Sequence, residues 1–324
     1  MKEDVSLKTT LFTEFSDENI ARGAQILKNG GLLGIPTETV YGLGANALDA
    51  DACRRIYEAK GRPQDNPLII HVPDSSWLPR YCREVPESAY RLAVAFWPGP
   101  LTMILPKREI VPARTTGGLD TVGVRCPNHP VTLALIRAAD VPVAAPSGNP
   151  SGRPSPTTAA DMMEDMDGKI DGVFDGGPCR VGVESTIIDL TCTPPRLLRA
   201  GGLPLEALQS VLGEVIVDRC ITQLMTGDGV KSAGYIRAHA PAGAGVICFS
   251  EFAALFPEQV VHDLGPEGDK SEQARRVFDA LRAFDATAVP EIYAQCPDDA
   301  GLGLAIGNRL KKAAGFHVVE AGEC

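Results

Sequence analysis

Between Lys60 and His71 the chain reads Lys-Gly-Arg-Pro-Gln-Asp-Asn-Pro-Leu-Ile-Ile-His, and this run dictates the architecture around it. Ala52, Ile56 and Ala59 share one face of a helix expected over 49–59, Gly61 can end that helix, and two prolines forbid its continuation. Leu68-Ile69-Ile70 then has the unbroken apolar character of a strand covered on both faces, and it delivers His71 at its C-terminal end. A helix feeding a buried strand is the unit of an α/β sheet. Lys60 and Arg62 are left at the turn, where in isolation they read as solvated charges completing a helix dipole.

The same grammar recurs along the chain. Ser16 or Asp17 can cap a helix carrying Ile20, Ala24 and Leu27, stopped at Gly30-Gly31 and followed by a strand over 32–35. Helices are expected over 86–97, 130–139 and 158–166, and strands over 101–105, 121–125, 142–145, 187–190 and 196–199. The last two strands follow each other too closely for a crossover, so the expected fold is an α/β domain on a mixed, twisted sheet, spanning 1–212. Residues 213–245 hold few apolar clusters and a polar passage from Thr226 to Gly234, which reads as a linker. Beyond it, a strand over 246–249, a helix over 271–284, a strand over 288–294 and a helix over 303–314 predict a smaller, Rossmann-like α/β unit over 246–324, without a glycine fingerprint for a dinucleotide.

Chemistry collects where the strands of the first domain end. The segment 36–44 sets three hydroxyls, one acid and two glycines directly after a strand and reads as a loop lining a site. Arg125 stands at a strand's end as His71 does, so the two are expected to share a pocket. The stretch from Pro146 to Thr158 is rich in Ser, Pro and Gly as a linker would be. It is bracketed by a buried strand and a cappable helix, which favours an ordered anion-binding loop. A formal charge of −10, from 41 acidic and 31 basic side chains, argues against a dedicated nucleic-acid binder, while local groups such as Arg54, Arg55, Lys60 and Arg62 suit a small anion. Apolar runs fall far short of the roughly 20 residues of a membrane span, and the N-terminus shows no apolar signal core, so a cytoplasmic location without membrane contact is expected. Nine cysteines without a Cys-x-x-Cys pair read as reduced thiols rather than a metal or redox motif.

Taken together, the Pro36 to Gly44 loop, the Lys60 to Leu68 turn, Gly117 to Arg125, Ala145 to Gly152 and Glu184 to Ile187 resemble the YrdC-type domain of threonylcarbamoyl-AMP synthases, in that family's order over residues 11–210. The C-terminal unit resembles the extra domain of the long form. The resemblance implies synthesis of L-threonylcarbamoyladenylate and pyrophosphate from L-threonine, bicarbonate and ATP, with magnesium accompanying ATP and no dedicated protein metal ligand. It also implies delivery of the product to a separate transferase complex that modifies tRNA, and double-stranded RNA binding among the family's properties. Carried over motif by motif, Thr39, His71, Arg125, Ala145 and Ser185 would hold threonine. Arg62, Asn66, Thr121, Ser147, Ser155 and Arg199 would hold ATP, and Lys60 with Arg62 would act at the phosphates.

Two positions depart from the family pattern. Ala145 replaces a hydroxyl residue, so only its backbone can contribute. The linker segment expected to gate the site reads Tyr235-Ile236-Arg237-Ala238-His239-Ala240-Pro241, with the family's basic residue and tyrosine before the histidine displaced or lost. Tyr235 and His239 are the gate candidates. The linker and second domain are expected to close over the cleft and exclude water. Two other readings fit parts of the pattern: a related carbamoyl-transfer enzyme using carbamoyl phosphate and ATP, and a non-catalytic RNA-binding module. The chain lacks the Cys-x-x-Cys zinc modules of the first and the basic balance of the second.

Overall fold

The computed structural model describes residues 8–218, 229–315 and 318–319. Eleven strands form one mixed sheet. From edge to edge they are Thr10–Phe12, Gly172–Phe174, Leu33–Ile35, Gly42–Asn46, Val143–Ala144, Ile69–His71, Thr121–Arg125, Leu101–Pro106, Thr186–Asp189, Arg196–Arg199 and Ile216–Val217. The strands at the middle of this order carry the site. Ile69–His71 runs parallel to Thr121–Arg125, which pairs antiparallel with Leu101–Pro106, which in turn runs parallel to Thr186–Asp189.

Gly61 ends the helix Ala50–Lys60 as read, at φ +60°, a conformation that a side chain would strain, while Asp49, expected inside the helix, caps it by accepting from the amides of Asp51 and Ala52. Thr158 and Asp161 form a reciprocal capping box at the start of Ala159–Met166. Helices Asp17–Lys28 and Pro130–Ala139 pack on one another over Leu33, Ile35 and Phe174.

Two stretches fold more than their composition suggests. The segment read as loop through Gly44 becomes a strand from Gly42, because Gly42 and Gly44 lie against a neighbouring strand: a Cβ on either would sit 3.1 Å from Ala145 or Val143. Part of the expected linker is the helix Gly229–His239, whose Ala233 and Ile236 pack on Val246, Cys248 and Phe256 of the second unit. Thr226 to Asp228 lie outside the described residues. The second unit is a parallel sheet with Gly245–Cys248 between Val260–Asp263 and Ile292–Ala294, flanked by helices Lys270–Asp285 and Gly303–Ala313. Val260–Asp263 is an addition to the sequence reading, as is the edge strand Ile216–Val217.

The two units are joined by side chains as well as by chain. Arg282 reaches from the second unit to the Pro154 carbonyl at 2.8 Å and to Asp165, a carboxylate with no exposed side-chain surface, at 2.5 Å. Asp279 accepts from the Thr157 hydroxyl at 2.8 Å.

Candidate active site

Register brings the candidates together. His71 pairs with Arg125, and Arg125 with Thr102, so these three side chains stand in a row across neighbouring strands. Around them lies a cleft of about 910 Å³, counted to its open mouth. Of the residues named from sequence, Arg62, Asn66, His71, Arg125, Ala145, Ser147, Ser185 and Arg199 line it.

Arg125 is 5% exposed and meets a residue to which sequence reasoning gave no role. Its Nη2 donates to Glu38 at 2.8 Å, and the second Glu38 oxygen accepts from the Asn128 amide at 2.9 Å. Glu38 thus fixes the guanidinium, while Arg125 Nε is buried without a hydrogen-bond partner. The available signal was a single acid in the loop opposite a strand-end arginine. Thr39 lies just beneath the cleft, its hydroxyl 2.8 Å from that of Thr37, which does line it.

His71 is fully buried, and desolvation aided by the Arg125 charge pulls it down to about 3, so the imidazole is neutral at ordinary pH. Ser185 shares a hydrogen bond of 2.8 Å with the Thr102 hydroxyl, and its carbonyl accepts from Arg199 Nε and Nη2 at 3.0 and 2.8 Å. Burial brings Arg199 down to about 10.

The phosphate-side candidates divide. Arg62 faces the cleft, holding the Pro67 carbonyl through Nη2 at 3.2 Å and leaving Nε buried and unpartnered. Lys60 stands behind the cleft wall. Its ammonium bonds the carbonyls of Ser147 and Asn149, and its own carbonyl accepts from the Ser151 amide at 2.7 Å, so it braces the Pro146 to Gly152 loop. Burial, reinforced by Arg62, lowers Lys60 to about 7. Ser155 lies 3.5 Å from Glu184, and Thr121 sits at the start of its strand; neither lines the cleft.

Glu184 does line the cleft and is the second acid that went without a role; its partner is Arg309 of the second unit at 2.5 Å. Burial would raise its carboxyl, but Arg309 and Arg199 together outweigh that and hold it below the usual range. Tyr235 and His239 are not brought to the cleft. Their rings stack at 4.1 Å on the helix Gly229–His239, anchored to the second unit by Ala233 and Ile236.

A twisted mixed sheet with a cleft walled by arginines at its strand ends defines an α/β enzyme of the YrdC-like class. The matching family models are one described as telomere recombination, over residues 25–201, and one described as the threonylcarbamoyl-AMP synthase C-terminal domain, over 223–315, which starts within the expected linker. The chain is 46% identical to the threonylcarbamoyl-AMP synthase of Pyrococcus abyssi, covering 92% of this chain and 94% of that one. To the Bacillus subtilis enzyme of the same name it is 42% identical, covering 94% and 95%. The crystal structure of P. abyssi Sua5 complexed with L-threonine superposes with a TM-score of 0.84 at 43% identity, over 96% of this chain and 99% of that one. The chain belongs to the threonylcarbamoyl-AMP synthase family, whose members are ATP-using adenylyl-transfer enzymes.

Proposed function

We propose that this cleft joins L-threonine, bicarbonate and ATP into L-threonylcarbamoyladenylate and pyrophosphate, with release of water. One observation carries the assignment of the anions: three arginines, Arg62, Arg125 and Arg199, line the same cleft. Planar guanidinium groups gathered in a partly desolvated cleft favour anionic occupants such as a carboxylate and a polyphosphate. Arg125, steadied by Glu38, takes the threonine carboxylate, beside His71, Thr39, Ser185 and the backbone of Ala145. The P. abyssi protein solved with L-threonine supports this occupant. Arg62, Asn66, Ser147 and Arg199 take ATP; Thr121 and Ser155, which do not line the cleft, are given no contact with it.

Threonine's amine captures carbon dioxide from bicarbonate as a carbamate, whose oxygen attacks the α-phosphorus of ATP and expels pyrophosphate. Two anions must meet in that step, so fixed cations and loop amides facing the developing charge are the main catalytic device. Lys60 serves by holding the Pro146 to Gly152 loop in shape, and Arg62 is the cation that meets phosphate. Magnesium would accompany ATP as part of that substrate and would offset its phosphate charge. Glu184, which lines the cleft, and Glu38 are each engaged by an arginine, and among the described residues no three His, Cys, Asp or Glu side chains cluster to hold a metal. A gate role for Tyr235 and His239 would require their helix to leave Val246 and Phe256, and the chemistry is assigned without them. The product passes to a separate tRNA-modifying transferase in the cytoplasm. Among the described residues no helix is long and apolar enough to cross a membrane.

The test is mass spectrometry of a reaction of purified protein with ATP, magnesium, bicarbonate and L-threonine, beside serine and no-amino-acid controls. The expected result is threonylcarbamoyladenylate with equimolar pyrophosphate. Pyrophosphate without that adduct, or an adduct only with another amino acid, overturns the assignment.

A further inference from the structure

The cleft is lined on one side by a carboxylate, which is the wrong charge for a wall that faces a polyphosphate. Glu184 lines the same cleft as Arg62 and Arg199, and one of its oxygens is 3.5 Å from Ser155. Left alone, that carboxylate would repel an incoming anion and compete with it for the arginine charge nearby. Its other oxygen is held instead by Arg309 Nε at 2.5 Å, from the helix Gly303–Ala313 of the C-terminal unit. Both side chains are largely buried, at 10% and 18% exposure, so the pair sits where screening by water is weak.

Contacts around the pair hold its geometry. Arg282 and Asp279, on the adjacent helix of the same unit, fasten Pro154 and Thr157 on either side of Ser155. The backbone at Gly182 comes so close to that helix that a Cβ there would lie 2.4 Å from the Ala274 carbonyl oxygen. The C-terminal unit therefore meets the cleft wall through apolar packing that includes the lining residue Val40, through a close backbone approach and through polar side chains, among which Arg309 reaches the lining residue Glu184.

We propose that Arg309 is a positioning residue of the active site, supplied by the C-terminal unit, which occupies the Glu184 carboxylate so that Arg199 and Arg62 remain available to the polyphosphate of ATP. This rests on the ATP-using reaction assigned above. It gives the second unit a defined part in that reaction: it corrects the charge of one wall of a cleft whose reacting groups all belong to the first unit.

The test uses the full chain and two readouts: calorimetric binding of magnesium and a non-hydrolysable ATP analogue, and steady-state kinetics in each substrate. Arg309→Met is expected to weaken analogue binding and raise the KM for ATP about tenfold, with the KM for threonine changed less than about twofold. Glu184→Gln added to Arg309→Met is expected to restore most of the ATP affinity, because the carboxylate that needed a partner is gone; Arg309→Lys is expected to fall between. Equal losses for ATP and threonine, or no recovery in the double variant, would show that the pair only fastens the two units and would overturn the proposal. Analogue binding separates this outcome from failure of the assigned reaction. A wild type that binds the analogue but makes no threonylcarbamoyladenylate sinks the reaction and leaves Arg309 to be judged on binding alone; a wild type that binds no analogue sinks both.

Discussion

At the strand ends of the large sheet stand His71 and Arg125, 2% and 5% exposed, with Arg62 at a nearby turn; at the strand ends of the small sheet stand Phe249, Asp263 and Gln295. Both sets include polar groups, but they are satisfied in opposite ways. Gln295 is fully buried and spends its oxygen on the Phe249 amide and its nitrogen on the Ser232 hydroxyl. Asp263 accepts from Ser250, Gly265 and Arg276. In the large sheet, by contrast, Arg125 and Arg62 each keep a buried N–H with no acceptor. Folding alone does not favour such an arrangement, since every unmet buried donor is a loss relative to water. The polar groups at the small sheet's strand ends close on each other, whereas those of the large sheet leave a cleft lined by Arg62, Arg125 and Arg199.

The comparison is broken most directly at Arg125. If its free edge takes the threonine carboxylate, Arg125→Lys keeps charge against Glu38 but loses the planar fork, and the KM for threonine should rise about a hundredfold, in line with roughly 2–5 kcal/mol for losing a hydrogen-bonded charge partner in a desolvated site. The KM for ATP should change little. Equal effects on both substrates would mean that Arg125 is as much scaffold as Gln295.

Next in size is the joint between the units. Asp165 is wholly buried and held by Arg282 at 2.5 Å and by Arg153 at 3.2 Å. Arg282→Met leaves that carboxylate with the half-exposed Arg153 and should cost about 3 kcal/mol in denaturant unfolding. A loss well under 1 kcal/mol would show that the two units are held by their apolar contacts.

A third effect is read from pH. His71 is held near 3 by burial, whereas in the unfolded chain it titrates near its ordinary 6.5. Between those values the unfolded state binds the extra proton, so stability falls as pH falls from 6.5 toward 3, by roughly one kcal/mol per pH unit from this group alone. His71→Asn should flatten the stability profile by that slope over pH 6 to 4. An unchanged slope would show that other groups govern acid unfolding.

What could be read from residues alone follows the same division. The turn after Lys60, the cap at Thr158 and the shared level of His71 and Arg125 are local, being set by Gly61, by a hydroxyl reaching the Asp161 amide, and by strands that each end in one polar residue. The partners of those residues were out of reach. Glu184 and Arg309 lie 125 positions apart, and a single ion pair leaves no period in the sequence. Lys60 was legible as a cation near an anion site, but its ammonium is taken by the Ser147 and Asn149 carbonyls, a contact that depends on how the loop curls over the helix end. The helix Gly229–His239 escaped notice because its buried face among the described side chains is little more than Ala233 and Ile236, set among glycines and polar residues; tertiary packing, rather than propensity, makes it a helix.

The smallest expected effect sharpens the contrast from the other side. Arg276 forms two ion pairs in the small unit, to Asp263 at 3.0 Å and to Glu272 at 2.7 Å, at distances like that of Arg125 to Glu38. Its side chain is 40% exposed and that of Asp263 is 44%, so water and salt screen the pairs, and fixing the long side chains offsets much of what remains. Arg276→Gln should therefore shift Tm by no more than about 2 °C, and that shift should shrink further in 0.5 M salt. A shift as large as that of Arg282→Met would mean that burial does not set the energetic weight of an ion pair in this chain.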